Sequence, residues 1–147
     1  MSLRPRKLPP GTSDDVEAAF YESLQQADVQ RLMDCWADED EICCIHPGGP
    51  RLIGSVAIRD AFVALLASGP VRVHPERIHR LASDRMAVHS VVERVEVPGD
   101  DGGTTAWVLA TNVYARTDRG WRLVSHHASP GGRKAPDDVR GASPLLH

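Results

Sequence analysis

The 147-residue chain has few cysteines, no excess of basic charge and no long apolar run. Its three cysteines, Cys35, Cys43 and Cys44, form no C-x-x-C pair, which argues against a disulfide framework or a structural zinc site. A net charge of -3 provides no basic field for nucleic acid or an anionic membrane. No segment approaches the ~18 apolar residues of a membrane span. We therefore expect no nucleic-acid partner and no membrane partner.

The first residues, MSLRPRKLPPG, are basic and rich in proline, but the apolar region of a secretion signal does not follow them. We therefore expect the protein in the reducing cytoplasm. The length is that of one ordinary domain. We expect a flexible N-terminal segment at 1–11, a folded domain at 12–130 and a C-terminal tail at 131–147.

Three amphipathic helices are predicted in the first half of the chain, because apolar residues recur there every three or four positions. Thr12, with Asp15 three residues later, can cap the first helix, and Asp28 can cap the second. Ser55 is expected to cap the third helix, which Gly69 and the following proline should end.

Outside the three helical segments, apolar residues no longer recur every three or four positions, and strands are predicted there. The segment ICCIH at 42–46 has the composition of a strand, and PGGP after it is typical of a turn. Four longer strands are predicted at 71–82, 85–97, 104–117 and 121–129. Helices grouped early and strands grouped late predict an α+β domain, in which a curved antiparallel sheet packs on three N-terminal helices.

This order of elements resembles the nuclear transport factor 2-like (NTF2-like) family. The segments that carry the resemblance are FYESLQQAD, CWADED, IHPGGPRLIGSVAIRDAF and TNVYARTDRGWRLVSHHASP. The SnoaL-like and ketosteroid isomerase branches share a cone-shaped, cystatin-like fold that holds a ligand between the helices and the concave sheet. The resemblance implies a small-molecule ligand, no obligatory cofactor and a homodimer formed through the sheet. It does not select one reaction, because the fold hosts isomerases, cyclases, dehydratases, binding modules and assembly domains.

The resemblance to the isomerase branch also indicates site residues. The general base that this branch places before a proline corresponds to His46, and a hydrogen-bond donor on the strand entering the final hairpin corresponds to Asn112. A second donor of that branch is a tyrosine in the first helix. Its position corresponds to Phe20 in this chain, and Tyr21 is displaced from it by one residue. An imidazole can accept a proton at neutral pH, and an amide can donate to an oxyanion. Phe20 can donate nothing, so we do not predict ketosteroid isomerisation.

The final hairpin decides which of the adjacent histidines His126 and His127 faces the site, since neighbouring side chains on a strand point to opposite faces. The segment TDRGW suits a type I turn with Gly120 in the left-handed conformation. That turn pairs Thr117 with Trp121.

Counting back from this pairing, Asn112 lies opposite His126 and shares its face with Tyr114 and Val124. If Asn112 faces the interior of the cone, His126 does so as well. A register slip of one residue would exchange His126 for His127.

Each candidate has a plainer alternative. His46 either caps the Pro-Gly turn, lines the pocket or acts as a base, and Asn112 is either a satisfied interior amide or a donor. His126 is either a pocket residue or hydrogen-bonded filler. Glu93 is either solvated or the partner of an inward histidine. The predicted ligand-binding residues are Phe20, Trp36, Phe62, Tyr114 and Glu93.

The histidines His46, His89, His126 and His127 lack the i, i+4 helical spacing of common metal ligands, so no metal site is predicted. The preferred hypothesis is a small-molecule pocket protein, and the catalytic form of this hypothesis is a cofactor-independent acid/base enzyme. In it, His46 accepts the proton, Asn112 stabilises the anion and His126 carries a second proton. The rival hypothesis is a non-catalytic module for ligand binding or assembly.

Overall fold

The computed structural model describes residues 11–141. Most of the predicted N-terminal segment, and the last six residues of the predicted tail, lie outside the described residues. Three helices and six strands form an α+β domain, as predicted. The elements are α1 (Ser13–Gln26), α2 (Val29–Asp34), β1 (Cys43–Ile45), β2 (Arg51–Ile53), α3 (Ser55–Leu66), β3 (Arg72–Ala82), β4 (Met86–Val97), β5 (Thr104–Thr117) and β6 (Gly120–Gly132).

The six strands form one curved, unclosed sheet in the order β2-β1-β6-β5-β4-β3. The long strands β3 to β6 pair antiparallel, but β1 pairs with β6 in parallel, so the sheet is mixed and not wholly antiparallel. A parallel pair needs a long crossover between its strands, and α3 with β3, β4 and β5 lies between β1 and β6 in the chain. The short strand β2 was not predicted, because only three residues after Pro50 pair with β1.

The N-terminal caps explain where the three helices begin. Thr12 and Asp15 form the predicted capping box, and Asp28 caps α2 as predicted. The prediction for Ser55 was wrong: Gly54, with a φ of 91°, is the N-cap of α3, and Ser55 is its first helical residue. The chain turns there through a left-handed backbone conformation that glycine adopts without strain.

The register of the β5–β6 hairpin places Asn112 opposite His126, as predicted, but the residue pairing at the turn differs from the prediction. Thr117 pairs with Gly120 and not with Trp121, so the hairpin is one residue tighter at the turn. A register shift between Val113 and Tyr114 then restores the predicted pairing. The irregularity is a β-bulge of the kind that bends strands and increases sheet curvature.

The helices cover the concave face of the sheet and the hydrophobic core lies between them. Inward residues of β4 and β5 alternate with exposed ones, as expected for a sheet with one covered face. The largest fully buried apolar and aromatic side chains are Tyr21, Tyr114, Phe20, Phe62, Leu32, Ile42, Ile58 and Leu123.

The segment after β6 lies against β3. The guanidinium of Arg77 donates a hydrogen bond to the carbonyl of Pro136, and Asp138 lies 3.7 Å from Arg77 Nη1 and 3.5 Å from His79 Nε2. Within residues 11–141, every helix is too short or too polar to cross a membrane.

The cap of α1 at Thr12 can be tested by comparison with Ser55, which was predicted to cap α3 but does not. We expect Thr12→Ala to lower the free energy of unfolding by about 1 kcal/mol, because it leaves the Asp15 backbone N–H without its side-chain acceptor. Ser55→Ala is the matched control, and its effect should stay within about 0.5 kcal/mol because Ser55 is not the cap. Equal losses for the two variants in urea denaturation would contradict this assignment.

Candidate functional site

An apolar pocket of about 370 Å³ lies between the helices and the inner face of the sheet. Three ionisable side chains interrupt its apolar wall: His46 after β1, Glu93 on β4 and His126 on β6. Such a pocket is the usual form of a small-molecule site, with few polar groups set in apolar surroundings. The apolar lining consists of Phe20, Leu24, Pro47, Phe62, Leu65, Val71, Val73, Val95, Ala106, Val108 and Ala128.

Five of the eight predicted site residues line this pocket: Phe20, His46, Phe62, Glu93 and His126. The other three do not. Trp36 lies instead in a second cleft, beside Arg116 and Arg122, since the chain after α2 runs toward the β5–β6 turn.

Tyr114 and Asn112 are buried behind the pocket wall, where both take part in a hydrogen-bonded network. Trp36 and Tyr114, which were predicted as ligand contacts, therefore lie outside the lining of this pocket. Side-chain direction along a strand follows from the sequence, but depth in the core depends on which helix packs above it.

A row of polar side chains crosses three neighbouring strands on the inner face of the sheet. His89 on β4 pairs with Asn112 on β5, which in turn pairs with His126 on β6. All three are buried, and each therefore needs hydrogen-bond partners.

Helix α1 supplies hydrogen-bond partners for Asn112 through two residues one turn apart, Glu17 and Tyr21. Glu17 Oε2 accepts from the Tyr114 hydroxyl at 2.6 Å and from Asn112 Nδ2 at 3.2 Å. The Tyr21 hydroxyl accepts from Asn112 Nδ2 at 3.0 Å and donates to Glu93 Oε2 at 2.7 Å. The network thus connects a carboxyl group at the pocket with a second carboxyl group deep in the core.

The network assigns Asn112 a role different from the predicted one. Both hydrogens of its amide are directed at Glu17 and Tyr21, so none remains for an oxyanion. Its Oδ1 lies 2.5 Å from His126 Nδ1. An amide oxygen only accepts, so Nδ1 of His126 carries the proton and Nε2 is an unprotonated acceptor.

The pKa values follow from this burial. Burial lowers the pKa of His126 to about 3, and the neighbouring imidazoles of His46 and His127 add to the effect, so His126 is neutral at pH 7. Burial, reinforced by the nearby carboxylates, raises the pKa of Tyr21 and of Tyr114 well above the ordinary value, so both phenols keep their protons.

Glu93 is the pocket group whose protonation changes near neutral pH. It is 6% exposed, so it is not solvated, and its partner is Tyr21 and not a histidine. Burial raises its pKa to about 7, against the opposing hydrogen bond from Tyr21, and the carboxylate of Glu17 adds to the rise.

His46 lies edge-on to the ring of Phe62, with 5.0 Å between ring centroids, and burial lowers its pKa. The turn after it is closed by main chain, because Gly49 N donates to the His46 carbonyl at 2.9 Å. His46 Nε2 lies 3.7 Å from Cys44 Sγ, but burial raises the pKa of that thiol to about 12. The pair is therefore not a thiolate–imidazole nucleophile.

Sequence reasoning missed the roles of Glu17, Tyr21 and His89. Glu17 and Tyr21 are separated by four residues, which places them on one side of α1 beside the apolar stripe. His89 and Glu93 share the inner face of β4. These spacings were a usable signal, although a charged residue beside an apolar stripe is more often solvated.

The SnoaL-like domain family model matches residues 14–131. A candidate calcium/calmodulin-dependent protein kinase type II association domain from Thiobacillus denitrificans is 29% identical; the match covers 87% of this chain and 100% of that chain, with a TM-score of 0.76. A candidate dehydratase of the NTF2-like family from Streptomyces avermitilis is also 29% identical, over 79% of this chain and 91% of that chain, with a TM-score of 0.70.

The S. rosetta hub of the same kinase type shares the fold at 18% identity, over 84% of this chain and 99% of that chain, with a TM-score of 0.65. No curated protein sequence matches this chain significantly.

The buried carboxyl group of Glu93 should make stability depend on pH. Its pKa is higher in the folded protein than the model-peptide value of 4.5, so its contribution is present below pH 4.5 and is lost as pH rises through about 7. The difference corresponds to roughly 3 kcal/mol. We expect the free energy of unfolding of wild type, relative to Glu93→Gln, to fall by this amount between about pH 4 and pH 8.

Tyr21→Phe is the companion variant. It removes the hydrogen bond that lowers the pKa of Glu93, so the titration should move to higher pH. Denaturation curves measured across this pH range test both statements. Parallel pH profiles for wild type and Glu93→Gln would contradict the assignment.

Proposed function

The chain belongs to the SnoaL-like domain family of the NTF2-like superfamily, and on that basis we propose that it binds a small, largely apolar organic molecule and transfers a proton to or from it. The observation that carries the proposal is Glu93, a carboxyl group with a pKa of about 7 in the wall of an apolar pocket. Such a group is available in both protonation states near neutral pH, as general acid–base catalysis requires.

In this proposal Glu93 takes the place of His46 as the main proton carrier. The lowered pKa values of His46 and His126 make both imidazoles weak bases. Ionised Glu93 removes a proton from a carbon next to a carbonyl group, with the Tyr21 hydroxyl donating to the carboxylate. The protonated carboxyl group then returns that proton to another atom of the same molecule, or to water.

His126 and Asn112 serve recognition and positioning. His126 Nε2 is an acceptor in the pocket wall, so it suits a ligand hydroxyl or N–H group. Asn112 orients His126 and Tyr21 from behind. No lysine or arginine is among the described residues that line the pocket, which favours an uncharged ligand. The candidate dehydratase from Streptomyces avermitilis supports a reaction that begins with proton removal.

Hydrogen–deuterium exchange tests the proton transfer without knowledge of the natural substrate. The purified protein is incubated in D₂O with a panel of small cyclic ketones and β-hydroxy ketones, and loss of the α-proton signal is followed by ¹H NMR. We expect catalysed exchange for at least one compound that binds, and a fall of about 10²-fold or more in Glu93→Gln.

Glu39→Gln is the matched control, because this exposed carboxylate lies in the second cleft, away from the pocket. It should exchange as fast as wild type. Ligand-observed NMR identifies the compounds that bind. If every bound ketone exchanges at the same rate with wild type and Glu93→Gln, the catalytic proposal fails.

A second candidate function is self-association through the outer face of the sheet. Leu81, Val88 and Val113 are register neighbours on β3, β4 and β5, and Leu81 and Val88 are 78% and 37% exposed. Leu109 and Met86 extend the exposed apolar surface. The similarity to a candidate association domain and to a hub supports assembly through a homodimer.

Sedimentation velocity measures this association directly. We expect a dimer for wild type at micromolar concentration and a monomer for Val88→Glu, since a carboxylate at the centre of an apolar interface is desolvated without a partner. Val56→Glu, on α3 and 74% exposed, is the matched control and should remain a dimer. A monomeric wild type, or the same state for both variants, would refute the sheet interface.

A further inference from the structure

A second cluster of polar groups lies at the end of the network that is remote from the pocket. Asp14 and Glu17 come from the first turns of α1, and His89 comes from β4. The side chains of Glu17 and His89 are 3% and 1% exposed, whereas that of Asp14 is 53% exposed. None of the three lines the pocket, and the proposed function does not use Asp14 or His89.

Two buried atoms of this cluster have no hydrogen-bond partner among the described residues: Glu17 Oε1 and His89 Nδ1. His89 Nδ1 lies 2.9 Å from Glu17 Oε2, close enough for an ion pair but outside hydrogen-bond geometry. A buried carboxylate oxygen and a buried imidazole nitrogen without partners are costly. With the ring proton of His89 on Nε2, where Ser13 Oγ is an acceptor at 3.2 Å, Nδ1 carries a lone pair, and a cation then accepts electron pairs from both unpartnered atoms.

The spacing of the donors suits one ion. One donor atom from each of Asp14, Glu17 and His89 lies within 4.8 Å of the others. Asp14 and Glu17 are three residues apart and therefore share a face of α1. Zinc bonds to imidazole nitrogen at about 2.0 Å and to carboxylate oxygen at about 2.0–2.2 Å. The side chain of Asp14 is 53% exposed, so its rotation toward the other two donors is not blocked by core packing, although it must give up part of its contact with Arg80.

Residues around the cluster hold its side chains in position through hydrogen bonds, as the residues that surround metal ligands do. Tyr114 and Asn112 donate to Glu17 Oε2 and hold its carboxylate in place. Ser13 Oγ lies 3.2 Å from His89 Nε2. Arg80 Nε donates to Asp14 Oδ1 at 2.7 Å from the solvent side. The exposed Asp14 also provides a path of entry.

From these observations we propose that Asp14, Glu17 and His89 form a binding site for a divalent transition-metal ion of the zinc class. One imidazole with two carboxylates favours zinc over magnesium and calcium, which prefer ligand sets made of oxygen alone. The site is separate from the pocket and joins the start of α1 to the middle of β4.

Isothermal titration calorimetry of the full chain, after dialysis against EDTA, tests the site with Zn²⁺ and with Mg²⁺ as the comparison. We expect one Zn²⁺ per chain and much weaker binding of Mg²⁺. Asp14→Asn and His89→Gln should each weaken Zn²⁺ binding at least ~10-fold. Because Asp14 is exposed, Asp14→Asn keeps the test valid even if His89→Gln does not fold. Absorption of bound Co²⁺ provides an independent reading of the ligand set.

Cys44→Ala is the control for adventitious binding, because Cys44 lies beside His46 at a different place in the chain. It should retain full Zn²⁺ affinity. The proposal is overturned if wild type binds no Zn²⁺, if Asp14→Asn binds as tightly as wild type, or if Cys44→Ala abolishes binding. These readings do not involve turnover, so they are independent of the ketone exchange experiment.

Discussion

The carboxylate of Glu17, buried on the inner side of α1, is the group on which the interior of this protein depends. It can only accept hydrogen bonds, and it therefore dictates which end of Asn112 turns toward it. That orientation sets the tautomer of His126 and leaves the Tyr21 hydroxyl to donate to Glu93. One acceptor in the core thus determines the donor and acceptor pattern of a pocket that it does not touch.

The same arrangement separates two carboxyl groups by environment. Glu17 is surrounded by donors, and its nearest ionisable neighbour is the imidazole of His89. Glu93 has one donor and otherwise faces apolar side chains, so its proton is retained to about pH 7. The zinc-class site places a cation on the first carboxylate and leaves the second to the pocket.

The scaffold offers separate surfaces for the proposed catalysis and the proposed assembly, because these use opposite faces of one sheet. The inner face carries the polar row and the pocket, and the outer face carries the exposed apolar row. Alternation along a strand allows each face to have its own composition, since successive side chains point in opposite directions. In the proposed dimer, a change at Val88 therefore weakens association and leaves the groups around Glu93 unchanged.

Local patterns determined the elements: the caps at Thr12 and Asp28, the amphipathic helices and the four long strands all follow from spacing within a few residues. The pairing of Asn112 with His126 was predicted correctly only because a register shift offset the wrong pairing at the turn. The parallel pairing of β1 with β6 and the depth of Trp36 and Tyr114 did not follow, because they depend on contacts between distant segments. The burial of Glu17 and of Glu93, and with it the raised pKa of Glu93, depends on how α1 packs across the inner face of the sheet. Burial is a property of the assembled core, and a single helix or strand does not possess it.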